Sequence, residues 1–123
     1  QLVLARRGQG VFRHNVELIE KSCRVTGLQD VQHLKASHIK PWRSSNDDEK
    51  IDGNNGLLLS PHVDHLFDRG WILFDDDGVL VPSPKLDLLV LQSWRIEPDR
   101  LSRPFLPRQK EYLEYHREFV FKR

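Results

Sequence analysis

Two short extended segments and one short helix, crowded between Val31 and Gly70, constrain this chain more than any other feature. From Val31 to Ile39 the side chains alternate. Leu34, Ala36 and His38 share one face, and Lys35, Ser37 and Ile39 the other, which predicts a strand or extended segment. Pro41 stops it, and Ser44–Asn54 reads as a polar loop. Gly56–Leu59 is a short apolar strand. Ser60 then stands as a helix N-cap with Pro61 at the first helical position. The helix is expected from Pro61 to about Phe67 or Asp68, with Gly70 as its C-terminal stop. The order is strand, loop, strand, helix. It places His38 at the end of the first strand and Asn55 at the start of the second. Asp64 and Asp68 fall one turn apart on the helix.

The flanks carry their own signals. Residues 1–10 are basic, contain Gly8 and Gly10, and read as an arm or linker stub. A helix is expected from Val11 to about Lys21, with Phe12, Val16 and Ile19 on one face. Thr26-Gly27 breaks the chain. Trp71–Phe74 and Val79–Val81 read as a hairpin, because Asp75-Asp76-Asp77-Gly78 ends in a strong turn pair. Leu86–Leu91 fits a helical turn or a strand equally. Three prolines make residues 96–108 a surface loop. A final helix is expected over Arg108–Phe121, with Tyr112, Tyr115 and Phe119 on one stripe, joined by His116. There is no internal repeat.

At 123 residues the chain is one domain or a piece of a larger protein. It starts with Gln1, and an N-terminal partner domain outside this sequence is expected. No apolar run approaches the ~20 residues of a membrane span, so no membrane role is expected. The one cysteine, Cys23, excludes an internal disulfide. It reads as a small buried thiol and points to the cytoplasm. Net charge is +1, but its distribution is uneven. Residues 1–14 hold Arg6, Arg7 and Arg13 and no acid, while residues 46–78 hold nine acids against Lys50 and Arg69. The tail from Arg103 has six basic residues against three glutamates. Basic ends around an acidic centre suit phosphates outside and a cation within; ordinary solvated faces explain the same pattern.

His38, Asn55 and the Asp64–Asp68 pair are the parts of a one-metal phosphodiesterase site. A histidine with a reference pKa of ~6.5 takes a proton from water near neutrality. A side-chain amide such as Asn55 orients it or holds its loop. Carboxylates or imidazoles on a rigid helix hold a divalent ion against the phosphate charge. His62 and His65 are three apart and share a helix face as well. Taken singly, each residue has an ordinary reading: His38 as a surface histidine, Asn55 as turn chemistry, the aspartates as solvated helix residues. His14, His33 and His116 read as packing or surface. Trp42, Phe67, Trp71 and Phe74 read as core rather than as a platform for stacking bases.

Taken in order, the motifs resemble the HNH endonuclease family, in its branch with His-Ile-x-Pro-Trp first and Asn-Gly-Leu-x-Leu later. Here these are His38-Ile39-Lys40-Pro41-Trp42 and Asn55-Gly56-Leu57-Leu58-Leu59. Gly8–Arg13 is similar to that branch's opening segment, and Cys23-Arg24-Val25-Thr26-Gly27 to its Cys-x-x-Thr-Gly turn. Leu66–Gly70 with the hairpin matches its middle, and Tyr112–Arg117 its closing helix. The resemblance implies an α+β fold. Its core is a ββα-metal finger over about residues 31–70, within a nuclease domain spanning 11–123. An added β-hairpin and flanking N- and C-terminal helices complete it. It implies metal-dependent hydrolysis of DNA, within a larger restriction or defence protein.

By the same resemblance His38 is the general base and Asn55 orients the catalytic loop. The family's final histidine position falls nine residues after Asn55, on Asp64, with His65 one step later. An aspartate there favours Mg²⁺ or Mn²⁺ over zinc. Many members place an acid or histidine just before the base; here it is Ser37, a weaker ligand. The implied metal set is Asp64, Asp68, His65 and Ser37. Lys40, Arg43 and Arg69, beside the motif residues, are expected on DNA phosphates. No recognition helix rich in Arg and Asn is visible, so no sequence preference is expected. Cutting both strands with one site implies a homodimer. The alternative is an inactive HNH-like module that binds nucleic acid, motivated by Ser37 and the Asp64/His65 shift.

Overall fold

The computed structural model describes residues 2–123. Five helices and two two-stranded sheets follow in the order α1 (Leu2–Ile19), β1 (Lys35–His38), α2 (Asp47–Ile51), β2 (Gly56–Leu59), α3 (Pro61–Asp68), β3 (Ile72–Phe74), β4 (Leu80–Pro82), α4 (Leu88–Ser93) and α5 (Pro107–Phe119). The fold is α+β: a ββα unit with an added hairpin and flanking helices.

β1 and β2 pair antiparallel, with Lys35 opposite Leu59, Ser37 opposite Leu57 and His38 opposite Gly56. β2 is buried along its whole length, and Leu57, Leu58 and Leu59 lose all contact with solvent. Burying one such side chain stabilises by about 1.5–3 kcal/mol, which is why an all-apolar run of this length sits centrally. Gly56 opens β2 because α1 crosses there: a Cβ would strike the side chains of Val16 and Phe12. α3 begins directly after β2 with Pro61 in its first turn. Gly70 ends the turn after it at φ +77°, where a Cβ would also collide with the Val120 carbonyl.

Several expectations need correction. The first helix begins at Leu2, not Val11, so the stretch expected as an arm is helical wherever it is described; Gln1 lies outside the described residues. Gly8 and Gly10 are tolerated inside that helix. The extended segment from Val31 is shorter than expected: Val31–His33 forms a 3₁₀ turn capped by Asp30, and the strand starts at Lys35. The polar loop contains a further helix, α2, closed by a reciprocal capping box between Asn46 and Glu49. Ser60 holds the N-cap position of α3 without capping it. Its hydroxyl instead bonds Thr26 Oγ1 at 2.7 Å and ties the Cys23–Gly27 turn to α3. Leu86–Leu91 resolves into helix α4.

The hairpin forms with Phe74 opposite Leu80, and the Gly78 N–H closes its turn onto Asp75 O at 3.0 Å. α5 buries Tyr112 and His116 of the expected stripe together with Gln109 and Leu113, while Tyr115 is half-buried and Phe119 is 65% exposed. Through this face α5 reaches both halves of the ββα unit. The His116 ring stacks on Phe67 of α3 at 3.9 Å, and the Tyr112 hydroxyl donates to Asp52 at 2.7 Å, next to Asn55. Cys23 is buried as expected. Among the described residues no helix is long and apolar enough to cross a membrane.

Candidate functional site

β1 delivers His38 to the edge of the ββα unit, where its ring lies flat on Phe12 of α1 at 3.6 Å and 8°. Nε2 is 2.9 Å from the carbonyl oxygen of Lys50. A carbonyl only accepts, so Nε2 carries the proton and donates it. In the neutral ring the lone pair is then on Nδ1. Burial lowers the His38 pKa below its ordinary value, opposed in part by the bond to Lys50. The imidazole is therefore neutral at physiological pH, the form that accepts a proton.

Asn55 has no exposed surface. Its Oδ1 accepts the Lys40 N–H at 2.8 Å, and its Nδ2 donates to Glu49 O at 3.0 Å. Weaker contacts at 3.4 Å reach Lys40 O and Ser45 Oγ. The Ile39 N–H reaches Asn55 O at 3.0 Å. One buried amide thus joins the residues just after His38 to the end of α2, whose next residue, Lys50, holds the histidine ring. Phe12, Lys50, Glu49 and Ser45 had no visible role in the sequence. Three of the four act through backbone atoms or as a packing plane, which residue identity does not encode. The Asn46-x-x-Glu49 capping signal that builds their helix was legible.

A cleft of about 460 Å³ opens beside His38, lined by Ser37, Trp42, Arg43, Asp64 and Asp68 among others. It draws together β1, the loop after it and α3. Ser37 is 5% exposed, Asp64 half-buried and Asp68 exposed. No ion pair among the described residues engages either aspartate. His65 is not part of this lining. Its ring stands edge-on to Trp94, as does that of His62, at 6.1 and 5.8 Å.

The three expected phosphate contacts separate. Arg43 lines the cleft. Lys40 is engaged elsewhere, with Nζ 2.9 Å from Glu49 and 5.1 Å from the centre of the Tyr115 ring. Arg69 is exposed at the C-cap of α3 and is not among the lining residues. Trp42, expected in the core, is 37% exposed.

Against a divalent cation, the donors of this cleft are two carboxylates, one hydroxyl and the His38 imidazole, three of the four being hard oxygens. No group of three or more His, Cys, Asp or Glu among the described residues is arranged to hold an ion. Such a set does not fit the closed four-ligand cage of structural zinc. It fits a cation that keeps several waters and takes a phosphate oxygen into its shell, as magnesium does.

Residues 23–75 match the model of the HNH endonuclease family. The HNH match holds the turn at Cys23, both strands of the finger, α3 and β3. The chain also superposes on a solved structure, a modification-dependent TagI restriction endonuclease, with a TM-score of 0.50 and 19% identity. That superposition covers 89% of this chain and 35% of the other, so the shared fold spans about a third of that protein. No curated protein matches the chain.

Proposed function

We propose that this chain is the nuclease domain of a metal-dependent DNA endonuclease that hydrolyses phosphodiester bonds. The observation that carries the reading is the cleft beside His38, where Ser37, Arg43, Asp64 and Asp68 converge from separate elements. His38 Nδ1 takes a proton from the attacking water. Asn55 acts one step back by fixing the loop and the Lys50 carbonyl that aims the ring. Asp64 and Asp68, with Ser37 at the cleft wall, hold Mg²⁺ or Mn²⁺. A bound divalent ion supplies positive charge against the phosphate and the departing oxygen. Arg43 adds fixed positive charge to the same cleft and holds a phosphate oxygen. Arg69 acts on the strand further along, and Lys40 serves mainly to brace α2.

The match to about a third of a restriction endonuclease supports a nuclease unit within a larger restriction or defence protein. Target choice then belongs to another domain, in the cytoplasm where DNA is met. Cutting both strands takes two copies. A second reading, an HNH-like module that binds nucleic acid without cutting it, is favoured by one observation: no three-ligand acidic or histidine cluster is arranged among the described residues.

Supercoiled plasmid incubated with the protein and Mg²⁺, Mn²⁺ or no metal, beside His38→Ala, tests both. Metal-dependent nicking that His38→Ala abolishes is the expected result. Binding that weakens steeply with salt, with no cleavage in either metal, establishes the second reading instead.

A further inference from the structure

A second cleft, of about 480 Å³, lies on the other side of His38, between α1 and β1. The two clefts share Ala36, His38 and Trp42 and are otherwise lined by different residues. On the far side stand Gln9, Arg13 and Lys35, and no acid lines this cleft. The first cleft holds Asp64 and Asp68. One half is therefore built for a cation and the other for anionic or neutral groups.

Trp42 is the shared wall. It is 37% exposed, its ring meets His38 edge-on at 5.7 Å, and Lys50 Nζ stands 4.7 Å from the ring centre. Leaving much of an indole open to water beside a buried core is unfavourable. Here that open surface adjoins the cleft proposed to hold the phosphate.

Resting on the nuclease reading, we propose that the cleft between α1 and β1 is a nucleobase subsite, in which Trp42 stacks the base next to the phosphate held at His38. Lys35 and Arg13 face that nucleotide's own phosphate. The Arg13 guanidinium is held in place by the carbonyls of Leu34 and Val31 and pairs at 3.8 Å with Glu17 of the same helix, so it is fixed at the cleft wall with its charge partly offset. Gln9, exposed on α1, offers an amide to the base edge. An aromatic face accepts any base, consistent with a chain that carries no base-reading helix. The substrate class follows: a strand with at least one unstacked base beside the scissile phosphate, as in a distorted or single-stranded segment.

The test is binding without divalent metal, so that no strand is cut. Two twelve-unit oligomers of equal charge are compared by fluorescence anisotropy: oligothymidylate, and an oligomer of abasic tetrahydrofuran units. Wild type is expected to prefer the thymidylate. Trp42→Ala weakens thymidylate binding by roughly 5-fold or more, as the loss of one stacked base implies, and leaves abasic binding unchanged. Trp42→Phe retains most of the preference. Lys35→Ala weakens both oligomers alike. Equal binding of thymidylate by wild type and Trp42→Ala overturns the subsite, and so does a loss shared equally by both oligomers, since the ring would then act only through the fold. If wild type binds neither oligomer, the nucleic-acid reading fails and the subsite with it.

Discussion

The two halves of the cleft beside His38 are built differently. On the loop side, His38 and Asn55 are held by protein alone. The imidazole is fixed by Phe12 and the Lys50 carbonyl, and the amide donates and accepts within a fully buried setting. On the helix side, Asp64 and Asp68 face the cleft with no ion pair among the described residues, and α3 fixes only their backbone. Their placement on α3 is itself asymmetric. Asp64 lies in the first turn, where the helix dipole favours an acid, and Asp68 ends the helix, where it does not. Two carboxylates one turn apart also repel. A base must be aimed before reaction, whereas ligands of a water-rich cation complete their geometry on binding. In the proposed nuclease the loop side is preorganised, and the helix side is completed by its cation.

Breaking the loop side at its tip has the largest expected effect. His38→Ala removes the proton acceptor, and cleavage is expected to fall by about 10²–10⁴-fold, alongside a stability loss of about 1–3 kcal/mol as the Lys50 carbonyl loses its donor and Phe12 its stacked ring. The pH profile sharpens this. Because burial depresses the His38 pKa, the base stays unprotonated to lower pH than an ordinary histidine. The acid limb of kcat/KM is therefore expected below pH ~6.5. A limb at or above that value breaks the assignment.

One step back, Asn55→Ala strips the part-buried Lys40 N–H of its acceptor and takes one donor from the Lys40 and Glu49 carbonyls, which keep Ser45 Oγ and the Asp52 N–H. An orphaned N–H costs about 1–3 kcal/mol, so a loss of about that size is expected in urea unfolding, with cleavage falling as the loop loosens. Asn55→Asp can still accept from Lys40 N–H but sets a carboxylate against the Glu49 carbonyl, and is expected to be no better. Wild-type stability in Asn55→Ala would show that the loop is held elsewhere.

The helix side is open at its side chains but is propped from behind. His116 stacks on Phe67, its Nε2–H bonds Phe67 O at 2.8 Å, and its Nδ1 is buried without a partner among the described residues. Burial brings its pKa down to about 4 from 6.5. Between those values the unfolded chain binds the extra proton. Stability is thus fully present above pH ~6.5 and declines as pH falls toward 4, by at most about 3 kcal/mol. His116→Gln is expected to flatten that slope in urea midpoints taken from pH 7 to pH 4. An unchanged slope assigns the acid sensitivity to other groups, His38 among them.

How much of this was legible depends on where each feature is encoded. β2, the Ser60-Pro61 start, the Gly70 stop and the Asp75–Gly78 hairpin follow local rules, and the sequence shows them. α1 extends back to Leu2 because Gly8 and Gly10 weaken a helix without forbidding one. α2 forms inside the expected loop because Asn46 and Glu49 spell its capping box. Trp42 and Phe119 were placed inward on hydrophobicity, yet both are exposed, because a stripe's outward or inward direction depends on what packs against it. His38 and Asp64 line one cleft, as their spacing in sequence allows, and Asn55 lies behind it. The atoms that aim His38 were not legible, since any residue could supply the Lys50 carbonyl.

The smallest expected effects separate the helix-side ligands from their neighbour. Asp64→Asn and Asp68→Asn each remove a charge that no ion pair among the described residues balances. Without metal, relief of repulsion is expected to leave stability unchanged or raised by about 0.2–0.5 kcal/mol, more for Asp68, where the dipole is unfavourable. With metal, both variants are expected to need more Mg²⁺ for half-maximal nicking, and Mg²⁺ should raise the melting temperature less than in wild type. His65→Ala is the control. Its ring lies against Trp94 rather than in the cleft, so its Mg²⁺ requirement is expected within about 2-fold of wild type, a change of under 0.5 kcal/mol. A large shift in His65→Ala, with none in Asp64→Asn, would move the cation to the outer face of α3. The contrast between a finished loop side and a waiting helix side would then have to be redrawn around the His62–His65–Trp94 cluster.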